Sequence, residues 1–132
     1  MKEITGINHV GLRVKSLEVA RAFYEKLGFE FIIGPIGPEP VAIMEHPSGV
    51  NINFILNGSA SDTLNVLMDV PEKHTGYTHM ALEVTDLEST QKYLESIDCA
   101  ITEGPIVLPD GGSMMFIRDP DDNVLEFHMP PK

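Results

Sequence analysis

The octapeptide INHVGLRV at residues 7–14 returns as YTHMALEV at 77–84, each apolar, strand-like and with a histidine third in line. A chain that repeats its own pattern must build the same supersecondary unit twice, which constrains the fold more than any single motif. At an offset of 70 residues, 7–31 lies on 77–101 without a gap. His9, Leu12, Val14, Leu17, Glu18 and Glu25 fall on His79, Leu82, Val84, Leu87, Glu88 and Glu95. At an offset of 73, IMEHPSGVNINF (43–54) lies on FIRDPDDNVLEF (116–127), so that Pro47 meets Pro120 and Phe54 meets Phe127. Three inserted residues reconcile the two alignments.

Each half has the same order of local signals. HVGLRV is apolar and rich in Val and Leu, which predicts a strand. A helix is predicted from about Ser16 to Leu27: Ser16 is a good N-cap, Leu17, Ala20, Tyr24 and Leu27 recur at helical spacing, and Gly28 supplies a left-handed stop. FEFII starts the next strand, GPIGPEP reads as a loop, and VAIME, the turn HPSG and VNINFIL read as a hairpin. The second half repeats this as HMALEV, a helix from about Asp86 to Ile97, a strand near AITEG, the turn PDGG, then SMMFIR, DPDDN and VLEFHM. The segment NGSASDTLNVLMDVPEKHTG joins the halves, with TLNVLMDV strand-like in composition. The fold class expected is α+β: two tandem β-α-β-β-β modules, about 4–57 and 75–129, within a single domain spanning 1–132.

Size and charge narrow the function. A chain of 132 residues buries about two-thirds of its unfolded surface, so no disulfide or metal is needed merely to hold it together. Cys99 is the only cysteine, and its apolar neighbourhood suggests a buried structural thiol. Twenty acidic against nine basic residues give a net charge of −11, which repels nucleic acid and anionic membranes. An anionic substrate must then be met by a local basic group. No apolar run reaches the 18 or so residues of a membrane span, and MKEITGINHV has no signal-peptide pattern; the expected location is the cytoplasm.

Strand parity decides which side chains can meet. Residues two apart share a face, so His9, Gly11 and Arg13 go together, as do His79, Ala81 and Glu83. On the last strand of each half, Asn53, Ile55 and Asn57 form one set, and Glu126 and His128 another. Phe54, Leu125 and Phe127 take the opposite faces, as a core under the helices would. The polar face suits a site better than a core. His9, His79 and Glu126 would make two imidazoles and one carboxylate, a set that suits Fe(II) and, with further oxygen donors, Zn, Ni or Mn. A lone strand histidine is ordinarily just a hydrogen-bonded residue. Two at repeat-equivalent positions weigh against that, and so does Glu126 in an otherwise apolar strand, since a half-buried carboxylate is costly unless paired or metal-bound.

The repeated halves, HVGLRV followed by SLEVARAFYEKLGFEF, and FIRDPDDNVLEF together resemble the vicinal oxygen chelate superfamily from about Ile7 to Met129. That superfamily includes glyoxalase I, extradiol dioxygenases, methylmalonyl-CoA epimerase, fosfomycin-modifying transferases and bleomycin-resistance proteins. The resemblance implies a curved mixed sheet, helices on its outer face, that cups one divalent metal per site (Ni, Zn, Mn or Fe). It also implies a homodimer with sites at the interface. The four metal positions of such proteins fall on His9, Asn53, His79 and Glu126. Asn53 is the departure: glyoxalase I has a glutamate there and the epimerase a glutamine, and an asparagine cannot act as a base. Glu126 stands where the isomerases carry a ligand that is also the proton-transferring base. Arg13 and Asn57 match residues that contact the glutathione part of a substrate, the alternative for Arg13 being an ion pair with an acidic neighbour such as Glu83; His128 either lines the pocket by parity or, near the chain's end, lies on the surface.

Three functions follow as expectations. The first is isomerisation of the lactoylglutathione lyase type, in which the metal holds an enediolate while Glu126 moves a proton. The second is an Fe(II) extradiol-type dioxygenase using a His-His-Glu triad. The third, of another class, is a metal-free protein that binds a small molecule or antibiotic, as bleomycin-resistance members do.

Overall fold

The computed structural model describes residues 1–61 and 64–132. The chain divides after residue 62 into two compact units. The first contains β1 (Val10–Arg13), α1 (Leu17–Lys26), β2 (Glu30–Ile36), β3 (Val41–Glu45) and β4 (Asn51–Ile55). The second contains β5 (His79–Glu83), α2 (Leu87–Ser96), β6 (Ile101–Val107), β7 (Ser113–Arg118) and β8 (Val124–Met129). Both are β-α-β-β-β modules, as the repeat requires. Each has its own four-stranded mixed sheet, in the orders β1-β4-β3-β2 and β5-β8-β7-β6. The first strand of each pairs in parallel with the last, and the other pairings are antiparallel.

The registers preserve the 73-residue offset. Asn53 lies between Gly11 and Ile43, and Glu126 between Ala81 and Phe116. Alternation then sorts the faces. In the first module Ile52, Phe54, Ala42 and Met44 are fully buried against α1, whose Ala20 and Tyr24 complete the core. Tyr24 packs edge-on against Phe29 at 5.6 Å and meets Phe54 at 5.3 Å. In the second, Leu87 and Leu94 of α2 are buried with Met115, Ile117, Leu125 and Phe127. On the other face His9, Gly11 and Arg13 are exposed, as are His79, Ala81 and Glu83. His9 falls one residue before β1, so the strand starts later than its composition suggests.

Both helices begin and end where their signals lie. Ser16 accepts a hydrogen bond from the Val19 N–H at 3.3 Å, and Gly28 follows α1 at φ +90. In the repeat, Asp98 takes the left-handed position of Gly28, at φ 55. Asp86 caps α2 more fully: its carboxylate accepts from the Ser89 backbone N–H at 3.1 Å and from the Ser89 hydroxyl at 3.0 Å. Those bonds, the backbone one foremost, hold the Asp86 carboxyl below its ordinary value of 3.8. The unfolded chain therefore takes up this proton first. The stabilisation is complete above the ordinary value and disappears as the pH falls through the lower folded one. Thermal melts stepped through acid should show a loss of stability in the wild type that is smaller in Asp86→Asn; identical profiles would exclude this cap as a source of acid sensitivity.

Two further departures from the sequence reading have local causes. GPIGPEP is not all loop, because β2 runs on through Gly34, Pro35 and Ile36. The strand tolerates Pro35 because β2 is an edge, where a missing N–H breaks no ladder bond. Register shifts absorb the irregularity, and the equivalent Gly104-Pro105 lies in edge strand β6 among similar shifts. TLNVLMDV makes no strand among the described residues: the Asn65 side chain accepts from the Leu67 N–H and its carbonyl from Met68 and Asp69, curling the segment into turns. Thr63 lies outside the described residues. Cys99 is half-buried instead of fully enclosed.

Candidate functional site

In the second module, parallel pairing of β5 with β8 brings His79 to Glu126 and His128, which lie two residues apart on β8. Glu126 is only 6% exposed, although it lies on the face away from α2. Its Oε2 is 3.1 Å from His79 Nε2, and its Oε1 is 2.8 Å from His128 Nδ1. A buried carboxylate stripped of water needs such partners on both oxygens. His79 is itself held: its Nδ1 meets the Thr78 hydroxyl at 2.9 Å, and its ring stands edge-on to Phe116. The hydroxyl can donate or accept, so it supports either ring tautomer and leaves Nε2 aimed at Glu126.

The first module repeats part of this arrangement. His9 Nδ1 is 2.8 Å from the side-chain oxygen of Asn8, the residue equivalent to Thr78. In both modules the polar side chain just before the histidine engages Nδ1 and leaves Nε2 for another partner. Asn53 is half-buried in mid-strand at the position of Glu126. Two residues before it, Asn51 Oδ1 is buried with no hydrogen-bond partner among the described residues. A neutral amide oxygen bears that isolation at far lower cost than a carboxylate would.

Arg13 and Asn57 also meet. Arg13 Nε donates to Asn57 Oδ1 at 2.8 Å, and the Asn57 amide donates to Glu39 Oε1 at 3.0 Å. The guanidinium lies 3.8 Å from the same Glu39 oxygen. Arg13 and Asn57, with Ser59 and Ser61, line an open groove of about 650 Å3. Sequence reasoning missed Glu39, which sits in a Gly/Pro loop with no periodicity to place it. It also missed Asn8 and Thr78, whose only signal was their position before each histidine. His46 packs its ring against Phe29 at 5.3 Å.

The donors suit a divalent cation in one measurable respect. Two neighbouring ligands of a six-coordinate ion, each about 2.1 Å from it, are about 3 Å apart. The His79–Glu126 separation of 3.1 Å is of that order, and it is equally the length of a direct contact between the two groups. Among the described residues no group of three or more His, Cys, Asp or Glu side chains is arranged to hold a metal.

The sequence profile of the Glyoxalase/Bleomycin resistance protein/Dioxygenase superfamily matches residues 6–127. The chain belongs to this superfamily. Solved structures of the same fold include the glyoxylase/bleomycin resistance protein/dioxygenase domain from Frankia sp. EAN1pec, with a TM-score of 0.80 and 23% identity over 98% of this chain and 95% of that one. A glyoxalase family protein from Enterococcus faecalis has a TM-score of 0.74 and 26% identity over 93% and 96%. A lactoylglutathione lyase from Agrobacterium tumefaciens has a TM-score of 0.69 and 19% identity over 96% and 95%. Within the superfamily fold Arg13, Asn53, His79, Glu126 and His128 lie on strands, whereas His9 lies one residue before β1 and Asn57 two residues after β4. Among the described residues no helix is long and apolar enough to cross a membrane.

Proposed function

We propose that this protein is a metal-dependent enzyme of the glyoxalase type, moving a proton between neighbouring carbons of a small molecule with adjacent oxygens, as a lactoylglutathione lyase does. The observation that carries the reading is the buried Glu126 carboxylate with Oε2 turned to His79 Nε2 at 3.1 Å. His79 and Glu126 would hold the ion in the second module, and His9 and Asn53 are the donors the first module offers. A bound divalent ion supplies Lewis acidity, which polarises the substrate's oxygens and acidifies the adjacent C–H bond. Glu126 receives the proton on its carboxylate and returns it to the neighbouring carbon, while its burial keeps bulk water from exchanging it. Thr78 keeps the His79 ring from turning. Arg13 and Asn57 offer a cation and an amide to the anionic end of a substrate such as a glutathione adduct, and Glu39 competes for both.

The test is the metal content of protein purified without chelator or affinity-tag nickel, comparing wild type with His79→Ala. About one ion per chain in the wild type, largely lost in the variant, is the expected result. A saturating ion at 100 times its dissociation constant should also add about 2.7 kcal/mol of stability. Iron in place of nickel or zinc would favour the dioxygenase. A metal-free binding role is favoured by one observation, that two histidines already occupy both Glu126 oxygens. No uptake after reconstitution with Ni, Zn, Mn or Fe would decide for it.

A further inference from the structure

We propose that His128 is a positioning residue for Glu126: its ring pins Oε1, so that Oε2 faces the His79 side, and this raises the metal affinity of the site. The inference rests on the metal-dependent reading above. His128 and Glu126 are two apart on β8 and share a face. The 2.8 Å contact joins His128 Nδ1 to Oε1. An ionised carboxylate can only accept, so in this bond Nδ1 carries the proton. Rotation of a carboxylate about its last torsion is soft, and one oxygen tied to a ring N–H removes most of that freedom. The other oxygen is the one His79 meets at 3.1 Å.

The repeat supplies an independent observation. At the offset of 73, Asn53 stands for Glu126 and Ile55 stands for His128. The strand without a carboxylate has an aliphatic side chain where the strand with one has an imidazole. The register is the same in both: Ile55 lies opposite Arg13, and His128 opposite Glu83, with Met114 on its other side. Backbone position alone therefore does not call for histidine; the carboxylate two residues away does. The His128 side chain is 33% exposed, so about two-thirds of it is covered by the protein. Parity had suggested a pocket-lining role for His128, and the structure turns its Nδ1 to Glu126. Groups that orient a ligand in this way typically change metal affinity 10- to 100-fold when removed.

Calorimetric titration of the metal-free protein with Zn2+ and, separately, Mn2+ tests this in wild type, His128→Ala, His128→Asn and His79→Ala. Asparagine places an amide N–H near the position of Nδ1 and should restore the bond. The expected result is an unchanged stoichiometry with a dissociation constant raised 10- to 100-fold in His128→Ala, and recovery of most of that loss in His128→Asn. Melting curves in chelator check that each variant folds; if the alanine variant does not, His128→Leu, which keeps the volume, takes its place. Wild-type affinity in His128→Ala would overturn the positioning role and leave the metal reading standing. Loss of the bound ion from both His128 variants, as in His79→Ala, would overturn it by making His128 itself a ligand. No binding by the wild type would overturn the metal reading and this inference with it.

Discussion

Glu126→Gln should lower kcat by about 10^2- to 10^4-fold, the usual contribution of a positioned general base, with little change in KM. Glutamine has nearly the same shape and keeps one acceptor oxygen, so it can still meet His128 Nδ1 or His79 Nε2, but it cannot carry a proton between two carbons. Lactoylglutathione formation at saturating metal is the assay, with metal content measured on the same sample so that a lost ion is not mistaken for a lost base. The melting temperature should stay within a few degrees, because the side chain remains enclosed with hydrogen-bonding partners. Near-normal turnover at full occupancy would remove Glu126 from the proton-transfer step.

The largest effect on stability is expected at Gly34. A Cβ there would lie 2.6 Å from Ala42 Cα and 2.8 Å from the Val41 carbonyl oxygen, both backbone atoms of the neighbouring strand. The backbone also sits at φ +143, where only glycine is at ease. Overpacking costs about 1–3 kcal/mol and the backbone conformation about as much again, so Gly34→Ala should destabilise by roughly 2–5 kcal/mol. Gly49 separates the two causes: its φ is +92, but nothing lies within 4 Å of an added Cβ. Gly49→Ala should therefore show only the conformational part, about 1–2 kcal/mol. Urea unfolding of the two variants beside wild type makes the comparison, and equal losses would show that the close approach of β2 to β3 contributes nothing.

Gly34 also marks a limit of local reading. Gly and Pro in succession signal a loop, and GPIGPEP carries that signal. The strand persists because β3 pairs with it across a bulge, which a window of seven residues cannot register. Asn65 illustrates the opposite error: TLNVLMDV has the composition of a strand, but a side-chain oxygen closing on the Leu67 N–H outcompetes extension.

The histidines and their carboxylate divide in the same way. His9, His79, Asn53 and Glu126 could be placed on one kind of strand face because side chains alternate strictly, and the repeat identified the equivalent positions. Helix ends were equally legible, since Ser16 and Asp86 cap through contacts three residues away. None of these required knowledge of the rest of the chain. Only the tertiary structure decided that Glu126 is buried, that His79 and His128 divide its two oxygens, and that Glu39 is the carboxylate shared by Arg13 and Asn57. Those contacts join segments 18 to 47 residues apart or depend on the enclosure around them. They follow from strand register and sheet order, which the packing of a whole module sets, whereas periodicity and capping act over a few residues and are already complete in the sequence.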